Sequence, residues 1–294
     1  MKDIEREKKT ASGPLLEVDF FPIWEDGRKK PFRDPKKKIS TAAQKKYNDL
    51  QMQKKVVRDI NANFDEGDIL MSPTYEPSKA PQSYEEVYRD ADNYIRRVKR
   101  KRAKELKRIK KLLELTPKDQ DLLKLKKKLE APFKYYYSVE EVKYKTGIYA
   151  GKSNWHLHMF LTGGLTRDTF EDLWEKSMRV NANRFQPERF GPEAAAKYIT
   201  KDAKGFRRIK HSRNIVRSKP RNIDGRITKR GVELLAKKRA NDAEYWERRY
   251  KGYRFIRCFP RYNEYNGHWY VSVIMYRSDK ALVPEWKISE WLND

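Results

Sequence analysis

Lys152-Ser153-Asn154-Trp155-His156-Leu157-His158-Met159-Phe160-Leu161-Thr162 is the stretch whose reading decides the fold. Two of the four histidines in this 294-residue chain stand there, two residues apart. Side chains of a β-strand alternate between its faces, so as a strand the segment sends His156 and His158 one way and Leu157 the other. Two imidazoles on one face are half of a chelate. The same spacing also suits two rings that only cover a sheet, and the flanking segments must decide.

Upstream, Phe133 to Val142 is rich in aromatic and β-branched residues and reads as a second strand. A loop around Gly147 and Gly151 joins it to the histidine strand as an antiparallel hairpin. Further upstream, Ile69-Leu70-Met71 fits a short strand that ends or bulges at Pro73. Ser83-Tyr84-Glu85-Glu86 has the form of a capping box. Behind it Tyr84, Val87, Tyr88, Ala91, Ile95 and Val98 mark the apolar face of a helix whose other face is densely basic. Thr116-Pro117 reads as the cap and first-turn proline of a second helix ending at Glu130. Downstream, Thr166 caps a short helix to about Met178, Arg179 to Phe185 alternates like a strand, and Gly191 to Lys201 begins a helix. The expected class is α+β, a central antiparallel sheet with flanking helices and a helical hairpin inserted at about 96–130.

Flanking regions complete a plan of three parts. Residues 1–63 are a basic N-terminal extension: a polar, disordered start, a strand from Leu15 to Trp24 and a helix capped by Ser40 or Thr41. Residues 64–205 hold the central sheet. Residues 206–294 are a basic region with a helix from Thr228 to Arg249 and a hairpin of Tyr253–Phe259 with Trp269–Arg277 around Asn266-Gly267.

Composition points to a polyanionic partner. Lys and Arg number 68 against 42 Asp and Glu, a formal net charge of +26. Neutralising phosphates with such cations releases counterions, which suits nucleic acid best, with an anionic membrane surface as the rival. No run approaches the apolar length of a membrane span and the start lacks a signal-peptide core, so a soluble intracellular protein is expected. The single cysteine, Cys258, excludes an internal disulfide and a CxxC zinc site, leaving metal ligands to His, Asp and Glu.

Thr146-Gly-Ile-Tyr-Ala-Gly151-Lys152-Ser153 nearly spells a phosphate-binding P-loop. Thr146 replaces the first glycine, however, and the segment precedes a strand where it should open a helix, so an ATP-driven helicase is not expected here. A third ligand for His156 and His158 must come from the partner strand, which carries Glu140 and Glu141. Adjacent strand residues face opposite ways, so only one of them can join. Carboxylate plus imidazole with open positions suits Mg²⁺ or Mn²⁺ when the substrate supplies oxygen ligands. Tyr198 is a candidate nucleophile, with Lys201 three residues on along the same helical face. Basic segments 96–111 and 206–221 are candidates for DNA backbone contact, through Arg96, Arg97, Lys99, Arg100, Lys101, Arg102, Arg207, Arg208, Lys210 and Arg213.

His156-Leu157-His158 flanked by hydrophobic residues, followed roughly forty residues later by Tyr198-Ile-Thr-Lys201, resembles the HUH endonuclease superfamily. Within it the likeness is to single-tyrosine rolling-circle replication initiators of plasmids, phages and prophages, and covers about residues 64–205. Ser72-Pro73 departs from the first strand motif of that family. The resemblance implies a ferredoxin-like or RRM-like core and a metal held by His156, His158 and, where relatives carry a Glu-Glu pair, the second glutamate, Glu141, with Glu140 as fallback. It further implies that Tyr198, assisted by Lys201, attacks a scissile phosphate of single-stranded origin DNA. A 5′-phosphotyrosine link and a 3′-OH primer result, in a bacterial cytoplasm, with a separately encoded helicase and replication machinery as partners. A conjugative relaxase or a single-tyrosine transposase would keep this chemistry, and a non-catalytic basic nucleic-acid binder is the alternative of another class.

Overall fold

The structure, a computed structural model, describes residues 2–25, 42–177, 180–185 and 209–277. In chain order these form β1 (Lys2–Ser12), β2 (Leu15–Glu25), α1 (Ala42–Asn63), β3 (Ile69–Ser72), α2 (Tyr84–Leu115), α3 (Gln120–Glu130), β4 (Tyr135–Lys143) and β5 (Ser153–Leu161). Then come α4 (Arg167–Asp172), β6 (Asn181–Arg184), β7 (Ile209–His211), β8 (Arg221–Asp224), α5 (Lys229–Lys238), α6 (Ala243–Arg249), β9 (Tyr253–Asn263) and β10 (His268–Arg277). The fold is α+β with two antiparallel five-stranded sheets. They belong to two compact units, residues 63–216 and residues 1–62 with 217–294.

In the unit of residues 63–216 the strand order is β6-β3-β5-β4-β7, so the histidine strand β5 is central. Its odd-numbered residues, Trp155, Leu157, Met159 and Leu161, are all buried. They join Ile69 and Met71 of β3 and Tyr137 and Val139 of β4 in one core with Val87, Ala91, Tyr94, Ile95 and Val98 of α2. Each such aliphatic side chain contributes about 1.5–3 kcal/mol by leaving water, and together they fix which face of β5 turns toward α2. Two polar tips within this core find backbone acceptors: Trp155 donates Nε1–H to Pro81 O at 2.8 Å, and the Tyr94 hydroxyl donates to Phe170 O at 3.0 Å.

Ser83 caps α2 by accepting from Glu86 N at 3.3 Å, while the Glu86 carboxylate reaches back to Gln82 N at 2.8 Å. The helix ends at Thr116, before Pro117. The cap of α3 is Asp119, which accepts from the amides of Asp121 and Leu122, both at 3.0 Å. This corrects the assignment of that cap to Thr116-Pro117: the pair forms the turn, and Asp119 stands directly before the first helical residue. The expected helix after Thr166 stops at Asp172, six residues long.

In the unit formed by the two ends of the chain, the order is β8-β1-β2-β10-β9. Phe20 and Val18 of β2 and Val271 and Val273 of β10 pack with Val232, Leu235 and Trp246 of α5 and α6. Disorder expected at the chain start is overturned, because β1 pairs with β2 along its whole length and with β8 on its other edge. Two of its acidic residues are matched by residues distant in sequence. Glu7 is buried and accepts from the Tyr250 hydroxyl at 2.8 Å and Arg249 Nη2 at 3.2 Å, and Glu5 lies 2.8 Å from His268 Nδ1. Burial opposes ionisation of Glu7, but the Tyr250 hydrogen bond with Lys9 and Arg249 outweighs it and holds the pKa below the usual carboxylate value. Gly13, at φ +57°, turns β1 into β2, and a Cβ there would meet Asn61 O at 2.0 Å. The single helix expected from Thr228 to Arg249 is two helices, since Asp242 accepts from Tyr245 N at 2.9 Å and restarts the chain as α6.

Candidate metal centre and nucleic-acid interface

The β4–β5 hairpin is antiparallel and in register over its full length, with Glu140 opposite His156, Ser138 opposite His158 and Glu141 opposite Trp155. Directly opposed residues share a face, so Glu140 joins the histidines. Its Oε2 lies 2.9 Å from His158 Nε2 and 3.9 Å from His156 Nδ1. Glu141, favoured by the family resemblance, is on the α2 face. There its carboxylate accepts from Ser153 Oγ at 2.5 Å and from the Tyr84 hydroxyl at 3.4 Å.

On the other side of β5, Thr74 forms an antiparallel bridge with His156 that keeps the register of Met71 with Met159. Pro73 has no N–H to donate, but its carbonyl accepts from Leu157 N at 3.0 Å, so the pairing with β5 continues past Ser72-Pro73. Alternation therefore puts Ser72 and Thr74, His156 and His158, and Ser138 and Glu140 on one face of three adjacent strands. The sequence reading missed Thr74 and Ser138 as neighbours of the pair, although the Ser-x-Thr, His-x-His and Ser-x-Glu alternations were all present to be matched.

His158 is 7% exposed. Partial burial lowers the pKa of His156, an effect that Glu140 opposes and His158 reinforces. A neutral imidazole is the form that can donate a lone pair to a cation. Two ligand atoms at right angles on a cation with bonds of about 2.1 Å are about 3 Å apart, close to the separation of Glu140 Oε2 and His158 Nε2. His156 Nδ1 lies farther out, and among the described residues no group of three or more His, Cys, Asp or Glu stands in an arrangement that could hold a metal ion. By donor chemistry the triad fits a divalent cation. Closing the ligand set requires His156, the most exposed of the three side chains, to turn, and metal binding would displace any proton shared between Glu140 and His158.

Tyr198, Lys201, Arg207 and Arg208 lie outside the described residues, as do Ser40, Thr41 and the expected helix at 191–201. Among the other candidate DNA contacts, Arg96, Lys99, Arg100 and Lys101 of α2 are exposed, and so is Arg213. Arg96, Arg100, Lys104, Lys107 and Lys111 recur at helical spacing and are all exposed, a basic stripe along α2.

Arg102 does not belong to that stripe. It is 4% exposed, bonds to Gly163 O and donates to the carbonyls of Lys128, Leu129 and Ala131 at 3.0 to 3.3 Å. Those last three are carbonyls at the C-terminus of α3, which its own ladder leaves unpaired. Burial also lowers the pKa of Arg102. Its assignment to DNA contact is corrected: a run of like residues on a long helix includes positions that face inward. Arg97 is half-buried, with Nε donating to Leu173 O at 3.0 Å and Nη1 3.4 Å from Glu175. Lys210 places its ammonium 3.9 Å from the centre of the Tyr88 ring. No helix among the described residues is long and apolar enough to cross a membrane.

No protein-family model, curated protein or solved structure matches the chain.

Proposed function

We propose that the chain is a divalent-metal-dependent endonuclease of the HUH type that nicks and rejoins single-stranded DNA, initiating rolling-circle replication. One observation carries this reading: His156, His158 and Glu140 share a face of the central strands, across a hairpin whose register admits only one of the two glutamates. The basic stripe of α2 and the net charge of +26 support a nucleic-acid substrate.

His156, His158 and Glu140 would hold Mg²⁺ or Mn²⁺, which when bound polarises a phosphoryl oxygen. The Tyr198 hydroxyl attacks the scissile phosphorus and loses its proton; the P–O3′ bond breaks and a 3′-OH leaves. Tyr198 is then linked to the 5′-phosphate, and attack by a 3′-OH reverses the step. Lys201 stabilises charge on the phenolate or phosphate. A bacterial cytoplasm is part of the proposal through the family resemblance, and a separately encoded helicase is part of it because the P-loop-like segment at 146–153 leads into a strand. A relaxase or transposase would use the same chemistry in another biological setting.

A second reading has its own observation. As arranged, Glu140 and His158 are within hydrogen-bonding distance, which also suits a basic nucleic-acid-binding protein whose histidines only pack. Incubation with end-labelled single-stranded DNA and Mn²⁺ separates the two. The nickase gives a covalent protein–DNA adduct that is lost in Tyr198→Phe. An adduct that persists in Tyr198→Phe overturns the nucleophile, and no metal-dependent cleavage over a library of sequences leaves the binder.

A further inference from the structure

We infer that the cleft between the β4–β5 loop and the segment following β3 is a binding site for an unpaired nucleobase of single-stranded DNA. The inference deepens the reading above and takes from it the identity of the strand.

The cavity is about 360 Å³ and lies where the hairpin leaves the sheet. The loop contributes Tyr144, Tyr149 and Lys152, and the segment after β3 contributes Pro77, Pro81 and Gln82. The two tyrosine rings are 6.0 Å apart between centres and inclined at 43°, and Lys152 Nζ stands 5.5 Å from the centre of the Tyr149 ring. Neither tyrosine belongs to the apolar core of its unit. A cleft of aromatic and proline surface with a cation beside it offers a base a stacking platform and offers its phosphate a partner. Gln82, exposed at the rim, brings an amide that can both donate to and accept from a base edge.

Two further features favour a nucleic-acid occupant. Residues 142–152 contain Lys143, Lys145 and Lys152 and no Asp or Glu. The loop is also pre-shaped: Tyr144 N donates to Lys152 O at 3.0 Å, Gly151 N to Tyr144 O at 2.9 Å and Lys152 N to Tyr149 O at 3.0 Å. Gly147 and Gly151, both at positive φ, permit that path, and Pro81 is held through its carbonyl by Trp155. A site ordered beforehand loses little entropy on binding. Ser153, which lines the cleft, is three residues before His156, roughly 10 Å along the strand, so a seated base would register the DNA backbone relative to the histidines.

The test uses the full chain carrying Tyr198→Phe, so that binding is read without cleavage. A fluorescein-labelled thymidine 15-mer and a duplex of the same length are titrated by anisotropy at fixed salt. Tyr149→Ala and Tyr144→Ala are expected to weaken the single strand about tenfold or more while changing duplex affinity less than twofold. Tyr149→Phe, which keeps the ring, is expected to bind like its parent. A 4-thiothymidine 15-mer should photo-crosslink to a peptide containing Tyr144 or Tyr149. Equal losses on both DNAs, no loss in either alanine variant, or crosslinks only elsewhere would overturn the site. If the wild-type chain forms no adduct with any DNA but the selective loss is found, the nickase reading fails and the cleft stands.

Discussion

At the scale of single residues, Glu140 and Glu141 differ by one position and by everything that matters for a metal. Glu140 faces the imidazoles, whereas Glu141 is engaged by Ser153 and Tyr84 on the opposite side of the sheet. Glu140→Gln is therefore expected to lower metal-dependent nicking by a hundredfold or more, since it removes a charged ligand, and Glu141→Gln to leave it within a few-fold. Equal losses from both variants in the same Mn²⁺ assay would place the ligand on the wrong strand face. In the metal-free protein the His156 ring, followed by NMR, should titrate below the value of a free imidazole. Glu140→Gln should push it lower still, because Glu140 is the group that raises it. The sign carries to stability: the unfolded state binds the proton more readily than the folded state, so His156 costs stability as pH falls through the unfolded pKa toward the lower folded one. A His156 ring that titrates above a free imidazole would contradict its burial, and one that Glu140→Gln leaves unmoved or raises would contradict the placement of Glu140.

At the scale of elements, α2 has two jobs that its sequence does not separate. Its run of Arg and Lys is uniform in composition, yet Arg96, Lys99, Arg100 and Lys101 are exposed while Arg102 closes the C-terminal end of α3. Arg102→Ala is expected to destabilise the protein by about 3 kcal/mol in urea unfolding, because it leaves several buried carbonyls without donors. Arg100→Ala with Lys101→Ala should leave stability within about 0.5 kcal/mol and flatten the salt dependence of DNA binding. If Arg102→Ala were neutral to stability and reduced binding uniformly, the helix would be turned otherwise. The same loss of distinction explains α3: Thr116-Pro117 and Asp119 are both legitimate starting signals in sequence, and the amides of Asp121 and Leu122 choose Asp119.

At the scale of the whole molecule, the two ends of the chain make one sheet, and residues 63–216 make another. A fragment of residues 63–216 is expected to unfold in a single cooperative transition and keep its near-UV signal. Removal of residues 2–25 should loosen residues 217–277, because β8 loses its partner and β10 keeps β9 but loses β2. Hydrogen exchange on the truncated protein reads this directly, and protection retained at Val271 and Val273 would contradict the shared sheet. Alternation and capping made much legible in sequence: the β5 faces, the β4–β5 hairpin, the start of α2, and the strands from Leu15 and Ile69 all follow from patterns a few residues long. The amino-acid sequence by itself thus determined that His156 and His158 share a face and that only one of two adjacent glutamates can join them. Tertiary structure alone decided that the glutamate is Glu140, that Arg102 faces inward, and that the polar N-terminal segment is a strand. The reason is common to all three. Parity along a strand is local, but the register between strands, the rotation of a long helix and the burial of a charged residue depend on groups far away in the chain, such as the Tyr250 and Arg249 that receive Glu7.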